Sequence, residues 1–134
     1  MKILETALYV DDLDAAKAFY TQLLGFRLYS EEPGRHLFLA GADAMLLLFN
    51  AEVTAHEVDG MVPSHGAIGP GHVAFQIEPG EIAAYEQLLE FHQVEIEKRV
   101  TFGNGITSIY FRDPAGNSLE FATRALWGRA LNQN

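Results

Sequence analysis

The sequence predicts an α+β protein made of two tandem βαβββ modules whose curved, mixed sheets surround a central cavity. Three observations predict it. A short unit occurs twice, the hydrophobic period switches between strand and helix values in the same order in both copies, and turn signals fall at matching places. Residues 3–10, ILETALYV, align with residues 70–77, PGHVAFQI, pairing Glu5 with His72, Ala7 with Ala74, Leu8 with Phe75 and Val10 with Ile77. FLAGADAMLLLF at 38–49 aligns with YFRDPAGNSLEF at 110–121, pairing Phe38 with Tyr110 and Leu48 with Glu120. One domain over 1–134 is expected: module 1 at about 1–52, a linker at about 53–67, module 2 at about 68–124 and a tail at 125–134.

Each element has a local cause. In residues 3–10, Leu4, Leu8 and Val10 alternate with Glu5, Ala7 and Tyr9, which is the period of a strand. Asp11 offers a helix N-cap with Asp14 three residues on, and Leu13, Ala16, Tyr20, Leu23 and Leu24 recur at helical spacing before Gly25 stops the helix. Strands are expected at 26–31, 36–40 and 45–50, the last two joined across Gly41-Ala42-Asp43. The second copy repeats the order: a strand at 71–78, a helix carrying Ile82, Tyr85, Leu88 and Leu89, then strands at 95–102, 106–112 and 118–123. The turns between these last strands are Gly103-Asn104-Gly105 and Asp113-Pro114-Ala115-Gly116-Asn117. Residues 51–69 are read as an irregular linker, and Trp127 is the one large anchor of the tail.

Composition narrows the function. The net charge of −9 argues against nucleic acid or an anionic membrane as partner. No cysteine is present, which excludes disulfides, thiolate metal sites and a cysteine nucleophile. No apolar run approaches the ~20 residues that span a bilayer, and Met1-Lys2 leads straight into a strand, so a cytoplasmic protein is expected.

Strand parity assembles a candidate metal site. If Leu8 and Val10 pack on the helix, Glu5 faces the other way. The same argument turns His72 away from Val73, Phe75 and Ile77, and Glu120 away from Leu119 and Phe121. Glu5, His72 and Glu120 thus face inward from three strands, and one imidazole with two carboxylates suits zinc, iron, manganese or nickel. The fourth equivalent position is Leu48, which cannot ligate.

The repeated order, with GHVAF opening the second copy and FRDPAGNSLEF closing it, resembles the vicinal oxygen chelate superfamily over residues 3 to 123. That family includes glyoxalase I, extradiol dioxygenases, fosfomycin-modifying thiol transferases, methylmalonyl-CoA epimerase and the bleomycin-binding proteins. The resemblance implies that His72 and Glu120 are the second-half metal ligands and that Glu5 replaces a first-half histidine. It implies a divalent-metal-dependent enzyme of lyase, isomerase or dioxygenase type that chelates a small oxygen-rich substrate, with Glu5 or Tyr110 moving the proton. Its alternative is a metal-free protein that binds and sequesters a small molecule, as the bleomycin-binding members do. Tyr9, His36, His65 and Tyr110 are the candidate substrate contacts. A homodimer is expected, since module pairing in this family takes place within a chain or across a dimer.

Overall fold

The structure is a computed structural model that describes residues 1–131. In chain order its elements are β1 (Glu5–Tyr9), α1 (Leu13–Ala18, continued as a wider π-helical turn Phe19–Leu23), β2 (Arg27–Glu32), β3 (His36–Ala40), β4 (Met45–Phe49) and a single helical turn α2 (Ala51–Thr54). The second series is β5 (His72–Ile77), α3 (Ile82–Phe91), β6 (Ile96–Thr101), β7 (Thr107–Arg112) and β8 (Ser118–Thr123), followed by tight 3-10 turns over Arg124–Leu131. The strands form two four-stranded mixed sheets of the same topology, β1-β4-β3-β2 and β5-β8-β7-β6. In each, the first strand pairs parallel with the fourth, and the remaining pairs are antiparallel. The α+β reading with two βαβββ series therefore holds. Among the described residues no helix is long and apolar enough to cross a membrane.

The chain falls into two compact units. One is Met1–Gly71 with Asp113–Asn117; the other is His72–Arg112 with the chain from Ser118 onward. In the first, Leu8, Val10, Leu37, Leu39, Leu46 and Leu48 are buried together with Ala16, Tyr20 and Leu23 of the helix. Each Leu or Val side chain so buried contributes roughly 1.5–3 kcal/mol. In the second, Leu89 of α3, Ile109, Phe111, Leu119 and Phe121 form the core, and Tyr85 lies 4.6 Å from Phe121 between ring centroids.

Helix α1 departs from expectation at its start. Asp12, not Asp11, is the N-cap: its carboxylate accepts from Ala15 N at 2.9 Å, the spacing that capping requires. Its last turn widens where the Thr21 hydroxyl donates to Lys17 O at 2.7 Å and Leu24 N reaches back to Phe19 O, since side-chain competition for a carbonyl loosens the helical ladder. Gly25 then turns at φ +72, as expected for a left-handed stop. The linker is less irregular than its composition suggests, because Asn50 caps α2 by accepting from Glu52 N.

The turn Asp113–Asn117 does more than reverse the chain. Asp113, 4% exposed, accepts from Tyr20 Oη at 2.7 Å, Asn117 Nδ2 at 2.9 Å, Asn117 N at 2.8 Å and Ala115 N at 3.0 Å. Asn117 donates to Tyr9 O and accepts from Gly71 N. Burial, then the adjacent Asp113 charge, pushes the Tyr20 phenol far above its ordinary range. At Gly71 an added Cβ would lie 2.8 Å from Leu8 Cδ2, so any side chain there would have to displace the end of Leu8.

Candidate metal and substrate site

In the second unit, β5 and β8 run parallel with His72 opposite Ser118. Glu120, two residues farther along β8, shares the face of His72 because Leu119 and Phe121 are fixed in the core. The result is a His–Glu pair, with His72 Nε2 3.3 Å from Glu120 Oε2. The other imidazole nitrogen, Nδ1, donates to the Ser118 carbonyl at 2.9 Å. That bond orients the ring so that Nε2 is the nitrogen turned toward the carboxylate and available as a metal ligand. Glu120 is 4% exposed and its Oε1 has no hydrogen-bond partner. A buried carboxyl oxygen without a donor is costly. A divalent cation beside it would remove that cost, so the residues present fit a metal.

Tyr110 stands opposite Glu120 across the β7–β8 pair and stacks on the His72 ring at 6.1 Å between centroids. Burial first, then the Glu120 charge and hydrogen bonding to it, raises the Tyr110 pKa. The side chain is therefore a neutral phenol, a proton donor, at neutral pH. Spectrophotometric titration should find Tyr110 ionising above the ordinary ~10 of tyrosine, and Glu120→Gln should shift it back down. Titration at the ordinary value in both proteins would place the hydroxyl away from the carboxylate. The pair opens into a cleft of ≈ 520 Å³ whose further walls are Phe102, Gly103, Asn104, Leu126 and Trp127.

Glu5 lies at the exposed start of β1, an edge strand of the first sheet. The fourth position needs correction. The turn from Ala40 to Met45 is one residue shorter than that from Arg112 to Ser118, so Leu47 pairs with Phe38 as Glu120 pairs with Tyr110. Leu47, not Leu48, is the equivalent of Glu120; Leu48 is fully buried in the core. Leucine at either place cannot ligate. Among the described residues no three His, Asp or Glu side chains form a group able to hold an ion.

The first unit gathers Tyr9, His36 and His65 into one cluster. Tyr9, Phe49 and His36 are lateral neighbours on β1, β4 and β3. Tyr9 Oη lies 2.7 Å from His65 Nδ1, and the His65 ring packs edge-on to Phe49 at 4.5 Å. His36 stacks on Phe38 at 4.1 Å and its Nδ1 lies 2.7 Å from Arg35 Nη1. Arg35 also holds Glu57 through two nitrogens, a bidentate pair that pins the linker. Neither Arg35 nor Glu57 was expected from sequence, because a pair separated by 22 positions leaves no periodic trace.

Burial, then the Arg35 charge, lowers the His36 pKa, with Glu32 and Glu57 opposing. Because the folded value lies below the unfolded one, the stability that His36 contributes is complete above the unfolded value of about 6.5 and is lost as pH falls through the folded value. Melting temperatures measured from about pH 7.5 to 5.5 should decline, and His36→Phe should flatten the slope. An unchanged slope would remove His36 as its source.

Comparison with known proteins agrees with the fold. The model of the glyoxalase/bleomycin resistance protein/dioxygenase superfamily matches residues 2–121. No curated protein matches the chain. Among solved structures, the chain is similar to a lactoylglutathione lyase from Agrobacterium tumefaciens, with 39% identity, a TM-score of 0.91, and coverage of 95% of this chain and 96% of that one. It is similar to a glyoxalase/bleomycin resistance protein/dioxygenase from Nocardioides, with 26% identity, a TM-score of 0.71, and coverage of 92% and 85%. It is also similar to an integron cassette protein from the mobile metagenome of the Halifax Harbour sewage outfall, with 26% identity, a TM-score of 0.72, and coverage of 91% and 97%.

Proposed function

The chain belongs to the glyoxalase/bleomycin resistance protein/dioxygenase superfamily, and we propose that it is a divalent-metal-dependent enzyme acting on a small oxygen-rich substrate. The observation that carries this reading is the His72–Glu120 pair, with its imidazole ring oriented by Ser118 and a buried carboxyl oxygen left without a donor. Glu5 is the third ligand. Pairing of two modules brings it to the pair, and in a homodimer that pairing joins one copy to another; twofold dimers are the commonest oligomers. The exposed Ile3 and Leu4 beside β1 suit burial in such an interface.

The chemistry that a bound divalent ion supplies here is polarisation of the substrate oxygens. The chain's own groups do the rest. Tyr110 retains its proton at neutral pH and can donate it to a substrate oxygen in the cleft. Glu5, exposed, can accept a proton. The Ser118 carbonyl prevents His72 from turning away from the carboxylate. Similarity to a lactoylglutathione lyase makes lactoylglutathione the first substrate to assay.

The test is metal analysis of protein purified without a histidine tag, with cobalt titration followed by absorbance. About one ion per chain is expected, and His72→Ala should abolish it while circular dichroism stays unchanged. If the variant keeps its metal, His72 is not a ligand and the site assignment fails; if the wild type itself takes up no ion, the metal-free sequestering reading takes over, with the charge of −9 favouring a cationic ligand. Light scattering that gives a monomer at micromolar concentration would overturn the dimer.

A further inference from the structure

The cleft of the second unit is divided by chemistry. His72, Tyr110 and Glu120 form one mutually contacting polar group in its lining, Phe102, Leu126 and Trp127 supply apolar wall, and Asn104 is bonded to the Leu126 carbonyl. Among the described residues no lysine or arginine lines it. Trp127 is the one tryptophan of the chain and is 65% exposed. Among the described residues its indole N–H has no hydrogen-bond partner, so the ring is not spent on holding the fold together.

The backbone beneath it is held in place. Asn104 Nδ2 donates to Leu126 O at 3.1 Å, Asn104 Oδ1 accepts from Ile106 N at 3.1 Å, and Arg124 donates to Leu131 O. These bonds hold the backbone on either side of an exposed ring, which is how an aromatic platform is presented. Gly103, also in the lining, adds no bulk: a Cβ built there would meet nothing within 4 Å.

We propose that Trp127, with Phe102 and Leu126, is the specificity wall of this site and receives an uncharged apolar substituent of the substrate, an aryl group above all. The proposal rests on the reading of His72 and Glu120 as the group that holds the substrate oxygens. The substrate class is then a compound with vicinal oxygens at one end and an aryl or branched alkyl group at the other.

Two bidentate oxygen chelators that differ only in substituent test this: benzohydroxamate and acetohydroxamate, titrated by calorimetry with and without nickel and followed by Trp127 fluorescence. In the wild-type protein benzohydroxamate should bind about tenfold or more tighter. Trp127→Ala should bring the ratio to within about twofold, with most of the change in the benzohydroxamate affinity. Equal affinities in the wild type, or a preference that survives Trp127→Ala, would overturn the proposal. His72→Ala separates this from the metal reading. If that variant keeps its nickel, the metal-site assignment fails, yet the benzo-to-aceto ratio in metal-free protein still decides the role of Trp127.

Discussion

Replacing Asp113 by Ala should lower the free energy of unfolding by about 3–5 kcal/mol, the largest loss expected from any single polar residue here. Four donors converge on its two oxygens, and it is 4% exposed. Removing the carboxylate takes the acceptor from the Tyr20 hydroxyl and from the Ala115 and Asn117 backbone N–H groups, while Asn117 Nδ2 keeps only its bond to Tyr9 O. The Tyr20 hydroxyl is in the worst position, since Tyr20 is wholly buried and water reaches it only by entering the new cavity. Tyr20→Phe removes one bond and leaves Asp113 three other donors, so it should cost about 1–2 kcal/mol. Urea unfolding of both variants measures the contrast. An Asp113→Ala protein within about 1 kcal/mol of wild type would show that the network is not structural.

Glu120→Gln should act in opposite directions on stability and on metal binding. The glutamine keeps an acceptor for Tyr110 and removes the charge from a buried site, so the metal-free protein should gain about 1 kcal/mol. Affinity for a divalent ion should fall by more than about 100-fold, because a ligand carboxylate has become a weak neutral donor. Such opposed effects are typical of a side chain retained for function at a cost to the fold. His72 is half exposed and is left with water when the charge goes, so it adds little to the penalty. If metal-free Glu120→Gln unfolds more easily than wild type, Glu120 is a structural residue and the metal reading loses its main support.

The sequence made the His72–Glu120–Tyr110 face legible because strand parity is robust: once Leu119 and Phe121 are assigned to the core, Glu120 has only one direction left. The same logic failed at Leu48, where aligning the repeats without a gap concealed a turn one residue shorter. A shift of one residue exchanges the faces of a strand, so the error moved a fourth position from the open face to the core. Asp11 and Asp12 both precede the helix, and only the bond from Ala15 N identifies Asp12 as the cap. Tyr9, His36 and His65 could be proposed singly. Their union through Phe49 and the Arg35–Glu57 pair depends on contacts across dozens of positions. Trp127 read as an anchor, yet it is exposed and its neighbours do the anchoring.

The turn at Asp113–Asn117 has a consequence for how the chain is made. Its partners Tyr9 and Tyr20 lie 108 and 93 positions upstream, and it belongs to the unit that begins at Met1. During synthesis the first unit can form its sheet and helix early, but the Tyr20 hydroxyl stays unmatched until Asp113 has left the ribosome. Closing so long a loop costs entropy and slows folding. The N-terminal half, though complete in strands, is therefore finished late, and a fragment ending in the linker would carry an open polar socket into solution.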